Sequence, residues 1–167
     1  MPDPTPTDAA ALAFHDHDHL DCAADTLARA EAIARDHGAR MTPVRRRVLQ
    51  ILLESHSAMG AYEILDRLGA EGFGNQPPVA YRALDFLVEQ GLVHRIQRLN
   101  AFTACLCPGE SHSPMFLICR ACNRVAESSS GPFRDALAAS AMAIGFQIER
   151  TTVEAVGLCP ACAQAPA

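Results

Sequence analysis

Two groups of residues in this 167-residue chain are of types that hold metal ions. The first is Cys119-Arg120-Ala121-Cys122 with Cys159-Pro160-Ala161-Cys162, two C-x-x-C turns with 36 residues between Cys122 and Cys159. One such turn lets two thiolates converge on an ion. Two of them complete a tetrahedral S4 shell, which favours Zn2+. The spacing exceeds that of a compact zinc knuckle, so a subdomain must fold between the pairs while the ion closes a long loop. A redox pair and paired disulfides are the alternatives. Two turns outside a thioredoxin-like context argue against the first. Seven cysteines with no secretory segment argue against the second and place the chain in a reducing compartment, the cytoplasm.

The second group is His94, Cys105, His112 and Glu127, one from each of four successive local elements. It offers a thiolate, two imidazoles and a carboxylate, all of which Zn2+ accepts at four-coordination. One thiolate and one carboxylate cancel the ion's charge, whereas an S4 shell keeps a net negative charge. The mixed set should therefore bind zinc more reversibly than the clip. Taken singly, each residue has an ordinary reading: a buried cysteine, surface histidines, an exposed glutamate. Only the architecture around them makes the set meaningful. Cys107, two residues past Cys105, is an alternative thiolate. A further tract, His15-Asp16-His17-Asp18-His19 with Cys22, suits a metal-binding tail and a plain acidic tail equally, and no role is assigned to it.

Those residues need elements to position them. Residues 1–22, with three early prolines and polar filler, read as a disordered tail. Residues 23–37 are Ala-rich and helical, closed by Gly38. Thr42-Pro43 opens the next helix, with Thr as N-cap and Pro in the first turn. Val44, Val48, Ile51 and Leu52 recur at helical spacing there, so Arg45, Arg46 and Arg47 emerge beside the apolar stripe as a solvated face or as phosphate contacts. A short helix over 61–68, a breaker-rich turn and a helix from Pro78 to Gly91 follow. Residues 92–97 and 101–105 read as two strands around Arg98-Leu99-Asn100. Three helices and a β-hairpin make a winged helix-turn-helix, whose recognition helix directs its N-terminal residues at base edges. Arg82 lies there and can pair with guanine O6 and N7. Arg95 and Arg98 sit on the wing, nearer to phosphates.

Charge fits this placement. The net is −5, with fourteen arginines and no lysine. Residues 1–39 carry two Arg against eight acids, residues 40–98 eight against six, and residues 99–167 four against five. The reading head is thus the only basic third, and a DNA reader needs local rather than overall positive potential. No window approaches the roughly 18 consecutive apolar residues of a membrane span. Beyond the hinge, residues 115–118 and Val125 read as strands flanking the first clip. Residues 132–144 read as a helix with apolar Phe133, Leu137 and Met142, capped by Gly145. Phe146, Ile148, Thr152, Val153 and Val156 form strand-like runs into the second clip. An apolar dimer core suits this lobe better than a ligand pocket.

Pro77-Pro78-Val79-Ala80-Tyr81-Arg82-Ala83-Leu84-Asp85-Phe86-Leu87, then Gly91-Leu92-Val93-His94 and the two C-x-x-C pairs, resemble the ferric uptake regulator superfamily, and within it the zinc uptake regulator branch. The similarity spans roughly Leu27 to Cys162. It implies an α+β chain: an N-terminal winged-helix DNA-binding domain (23–106), a hinge (107–114) and a C-terminal α/β dimerisation domain with a four-cysteine zinc clip (115–167). It implies a structural zinc on Cys119, Cys122, Cys159 and Cys162. A second, regulatory zinc falls to His94, Cys105, His112 and Glu127, making two ions per subunit. It also implies base contacts from Tyr62 and Arg82 and a backbone contact from Tyr81. A His-rich hinge run typical of iron-sensing members is missing, and a hinge thiolate favours zinc. Where the family has Ser or Thr, this chain has Val79, which puts a phosphate contact or an N-cap in question.

The expectation is a homodimeric, zinc-dependent repressor of palindromic, double-stranded operator DNA that controls zinc uptake genes, with no membrane and no small organic substrate. Two rivals stand beside it. A catalytic zinc on His94, Cys105 and His112 would need an open coordination position and a nearby base, and neither H-E-x-x-H nor H-x-E is present. Thiols sensing oxidant, or a related regulator sensing another metal, would use the same architecture differently.

Overall fold

The computed structural model describes residues 19–54, 57–106, 108–109, 114–129, 131–149 and 151–164. In chain order these form α1 (His19–Asp36), α2 (Pro43–Leu53), β1 (Met59–Gly60), α3 (Ala61–Ala70), α4 (Pro77–Glu89), β2 (Val93–Ile96), β3 (Ala101–Ala104), β4 (Pro114–Cys119), β5 (Val125–Ser129), α5 (Gly131–Ala143), β6 (Val153–Gly157) and α6 (Pro160–Gln164). The helix expected over 23–37 begins earlier, at His19, and the first residues of the His-rich tract lie outside the described residues.

Local chemistry sets most of the boundaries in the first half. Gly38, at φ +67°, ends α1 while Ala39 N–H donates to Ala34 O at 2.8 Å. Thr42 caps α2 by accepting from Arg45 N–H at 3.4 Å, and Pro43 takes the first turn. Gly91, at φ +69°, ends α4 and turns the chain into β2. The apolar stripes of α2, α3 and α4 meet in a core of Val48, Leu49, Ile51, Leu52, Ile64, Leu68, Ala80, Leu84 and Leu87. Ala30 of α1 joins it. Fully burying aliphatic side chains of this kind contributes about 1.5–3 kcal/mol each, which is what fixes α4 against α2 and α3.

A small antiparallel sheet, ordered β1-β3-β2, closes this lobe. Its wing turns at Asn100, φ +46°, whose N–H donates to Gln97 O at 3.2 Å. Strand β1 has only two residues, with Met59 opposite Phe102 and Gly60 opposite Ala101. It is too short to show the alternation by which a strand is read from sequence.

In the second lobe β4 is the central strand, antiparallel to β5 and parallel to β6. A parallel neighbour requires a crossover, which α5 supplies. The strand-like run expected at Phe146 and Ile148 does not form: 146–149 is irregular, and both edges of β4 are already taken by β5 and β6. Nor does α5 bury its apolar side chains on this lobe. Ala141 is its one buried residue among those described, whereas Met142 is 79% exposed and Ile144, just beyond, 80%. Phe133, Phe146 and Ile148 are exposed as well.

The two lobes touch. Ile96 of β2 packs with Phe116, Ile118 and Val125 of the second sheet, and Leu99 and Ala58 join them. Beside this cluster Ala58 N–H reaches Asn123 O at 3.4 Å, and Ser57 bridges to Arg124. Among the described residues no helix is long and apolar enough to cross a membrane.

Candidate metal centre

The C-x-x-C turns are brought together by the ends of β4 and β6. Cys119 is the last residue of β4, and its N–H donates to Arg124 O at 2.9 Å while Asn123 N–H returns to Cys119 O at 3.0 Å. Asn123 sits at φ +58°, a conformation that Asn tolerates better than most residues. Gly157 O, at the end of β6, accepts Arg120 N–H at 2.9 Å and delivers Cys159 to the first turn. Cys162 follows on α6. All four sulfurs lie within 4.8 Å of one another, and none is in a disulfide.

Cys122 and Cys159 Sγ are 3.8 Å apart. That is the edge of a tetrahedron with metal–sulfur bonds of about 2.3 Å, the Zn–S length. Cys159 N–H donates to Cys119 Sγ at 3.4 Å, and this bond, outweighing burial, lowers the Cys119 thiol to about 6. Contact with Cys159 first, then with Cys122 and Cys119, pushes Cys162 up to about 12, and burial raises Cys122. The cluster thus yields one thiolate easily and resists further charge. A divalent cation supplies the missing compensation.

The second set spans the lobes. His94 is on β2, Cys105 directly follows β3, and Glu127 is the middle residue of β5. Their ligand atoms lie within 4.8 Å of one another, with Cys105 fully buried and Glu127 7% exposed. One carboxylate oxygen, Oε1, is 3.3 Å from His94 Nε2 and 3.8 Å from Cys105 Sγ. The other, Oε2, accepts Leu106 N–H at 3.0 Å. The His94 ring lies against Phe116, centroids 5.3 Å apart and planes tilted by 57°. One nitrogen, one sulfur and one oxygen donor thus converge at a site largely removed from water, a donor set that suits zinc. His112 and the alternative thiolate Cys107 lie outside the described residues. Phe116 and the Leu106 N–H carry no sequence signal. The first sits in a plain apolar run, and the second is backbone.

In the N-terminal lobe, Tyr81 and Arg82 are exposed on α4 while Ala80, Ala83 and Leu84 pin that helix to the core. Tyr62, second residue of α3, is 65% exposed. The N-cap of α4 is Gln76, so a hydroxyl at position 79 would not have been the cap. The Arg45–47 run is occupied within its own lobe: Arg45 stacks over Phe86 at 3.6 Å, Arg46 pairs with Glu31, and Arg47 pairs with Glu54 and Glu71.

Residues 36–156 match the model of the ferric uptake regulator family. The zinc uptake regulation protein of Escherichia coli (strain K12) is 36% identical over 144 residues, covering 86% of this chain and 84% of the relative. A solved zinc uptake regulator complexed with zinc and DNA superposes with a TM-score of 0.81 at 35% identity, over 85% of this chain and 95% of that one. Holo XcZur, 38% identical, gives 0.76 over 84% of this chain and 99% of its own. Apo XcZur, 39% identical, gives 0.51 over 86% and 99%. At nearly the same identity, this chain superposes more closely on the holo form than on the apo form. This chain belongs to the ferric uptake regulator family, in its zinc uptake regulator branch.

Proposed function

We propose that this protein is a zinc-responsive repressor that binds palindromic operator DNA as a zinc-loaded homodimer and so controls zinc uptake genes. One observation carries the reading. His94 and Cys105 of the reading head meet Glu127 of the C-terminal sheet within 4.8 Å, across the boundary between the lobes. Residues 23–106 act as the DNA-binding domain, 107–114 as the hinge and 115–167 as the dimerisation domain. Each subunit holds two zinc ions. Cys119, Cys122, Cys159 and Cys162 keep one permanently. His94, Cys105 and Glu127, with His112 as the fourth ligand from the hinge, bind the other reversibly.

Zinc at the second site supplies a charge centre that draws thiolate, imidazole and carboxylate together, so it binds the closed arrangement of the lobes better than open ones. Closure fixes the separation of the two α4 helices in the dimer, and only then do both fit half-sites along a duplex. Arg82 and Tyr62 face the bases and Tyr81 the backbone; their exposure on α3 and α4 supports these roles. The bare apolar surface of α5 and residues 144–148 supports the dimer. The protein works by binding, with no catalytic step, in the cytoplasm beside its DNA.

The test is zinc per subunit before and after mild chelation, measured alongside binding to a palindromic duplex. Loss of about one zinc together with DNA binding, the clip ion remaining, is the expected result. Zinc leaving while DNA affinity stays would overturn the reading.

A further inference from the structure

Glu127, Phe116 and Glu154 are direct neighbours across β5, β4 and β6: Phe116 pairs with Glu127 on one side and with Glu154 on the other. Directly paired residues project from the same face of a sheet. One row therefore presents a carboxylate, a ring and a second carboxylate to the reading head. The face of β2 that carries His94 and Ile96 lies over it. Glu127 meets His94 and Cys105, Phe116 meets the His94 ring and Ile96, and Glu154 meets the wing turn. There the Glu154 oxygens accept Gln97 N–H at 2.6 Å and Arg98 N–H at 3.0 Å. The two ends of one wing strand are thus held by the two carboxylates of one row, the first through the metal set and the second through backbone donors.

We propose that Glu154 is a metal-independent latch: a positioning residue that holds the wing turn against the C-terminal sheet and so sets the zinc concentration at which operator binding appears. The proposal rests on the functional reading above. An ion that binds only the closed arrangement shows an affinity reduced by the fraction of molecules already closed. A contact formed only on closure raises that fraction. Glu154 is not one of the converging metal ligands, yet it acts on the same equilibrium as zinc. Its partners are backbone N–H groups, so the latch depends on the acceptor at 154 and not on the side chains of Gln97 or Arg98. Bonds from N–H groups to a carboxylate are also stronger than neutral ones.

The experiment compares wild type, Glu154→Ala and Glu154→Gln in operator binding titrated with buffered zinc, with zinc per subunit counted in each. For Glu154→Ala the zinc midpoint should rise on the order of tenfold. Affinity at saturating zinc should match wild type, and the clip ion should be retained. Glu154→Gln, which keeps one acceptor oxygen, should fall between. A midpoint identical to wild type overturns the latch. So does an affinity that stays low at saturating zinc, whether through loss of the clip ion (support of the fold) or with that ion kept (a contact to DNA or to the second subunit). Wild type binding at full strength in chelator would overturn the functional reading, and the latch with it. A zinc-dependent wild type with Glu154→Ala superimposed on it overturns the latch alone.

Discussion

Glu127 divides its two oxygens between two tasks, and that division makes its neighbours testable one at a time. Oε2 holds Leu106 N–H and so ties the chain just beyond the wing to β5, while Oε1 faces His94 and Cys105. Burying a carboxylate beside a thiol and an imidazole is costly unless a cation or protons compensate it. The donors should therefore not be interchangeable. Cys105→Ala removes the soft ligand without touching the Leu106 bond. It should weaken zinc at the second site by at least about 100-fold, beyond what loss of an outer partner does, while leaving the clip ion in place. Competition against a chelator measures the first, and metal counting the second. The variant should stay weak for the operator with and without zinc; wild-type affinity in chelator would sink the assignment. The residues differed in how far sequence could reveal them. Four cysteines in two C-x-x-C turns declare themselves, because the spacing itself is the chemistry. His94 and Glu127 are ordinary until the packing of the two sheets places them face to face. Phe116 and Glu154 were not legible, because no local rule says which residue of β6 will stand beside which residue of β4.

At the scale of elements, the helices of the reading head were legible because each end is written locally: Gly38, Thr42-Pro43 and Gly91 act within one turn of themselves. The second lobe is less legible for a physical reason. Strand propensity reports fitness for a half-buried, pleated surface, and Phe146 and Ile148 have that fitness without a partner strand among the described residues. Phe133 and Met142 of α5, with Ile144 just beyond, are left exposed by the described residues. If a second copy covers them, charge placed there should split the dimer. Met142→Glu with Phe146→Glu should weaken association by about 3 kcal/mol or more, since two carboxylates would lose water without partners. Sedimentation at micromolar concentration should then show monomers that still carry zinc. Operator affinity should fall as well, because each half-site is bound without help from the other. A double variant that remains dimeric would exclude this face as the interface.

At the scale of the molecule, the proposed assignment gives the two metal sets different ranks in one hierarchy. The clip fastens the end of β6 to the turn between β4 and β5, and β6 carries Glu154 while α5 leads into it. Losing the clip frees the crossover, and with it both the apolar face of α5 and the latch. Losing the second ion releases only the approach of the lobes, because Glu127, Phe116 and Glu154 stay in their ladder without it. The ions should therefore leave in a fixed order with different consequences. Thiolate sites in small zinc domains bind with about 10–16 kcal/mol of apparent energy at neutral pH, and that energy is folding energy. A mixed site between two lobes can empty without unfolding either. Cys162→Ser should accordingly abolish operator binding even at saturating zinc, lower the thermal midpoint and reduce the dimer fraction together. Mild chelation of wild type should remove operator binding alone, with the dimer and the thermal transition of the C-terminal lobe nearly intact. Scanning calorimetry beside sedimentation separates the two cases. If mild chelation dissolves the dimer at the same step that frees the DNA, the metal sets are not ranked, and zinc acts on this protein through its folding rather than through the angle between its lobes.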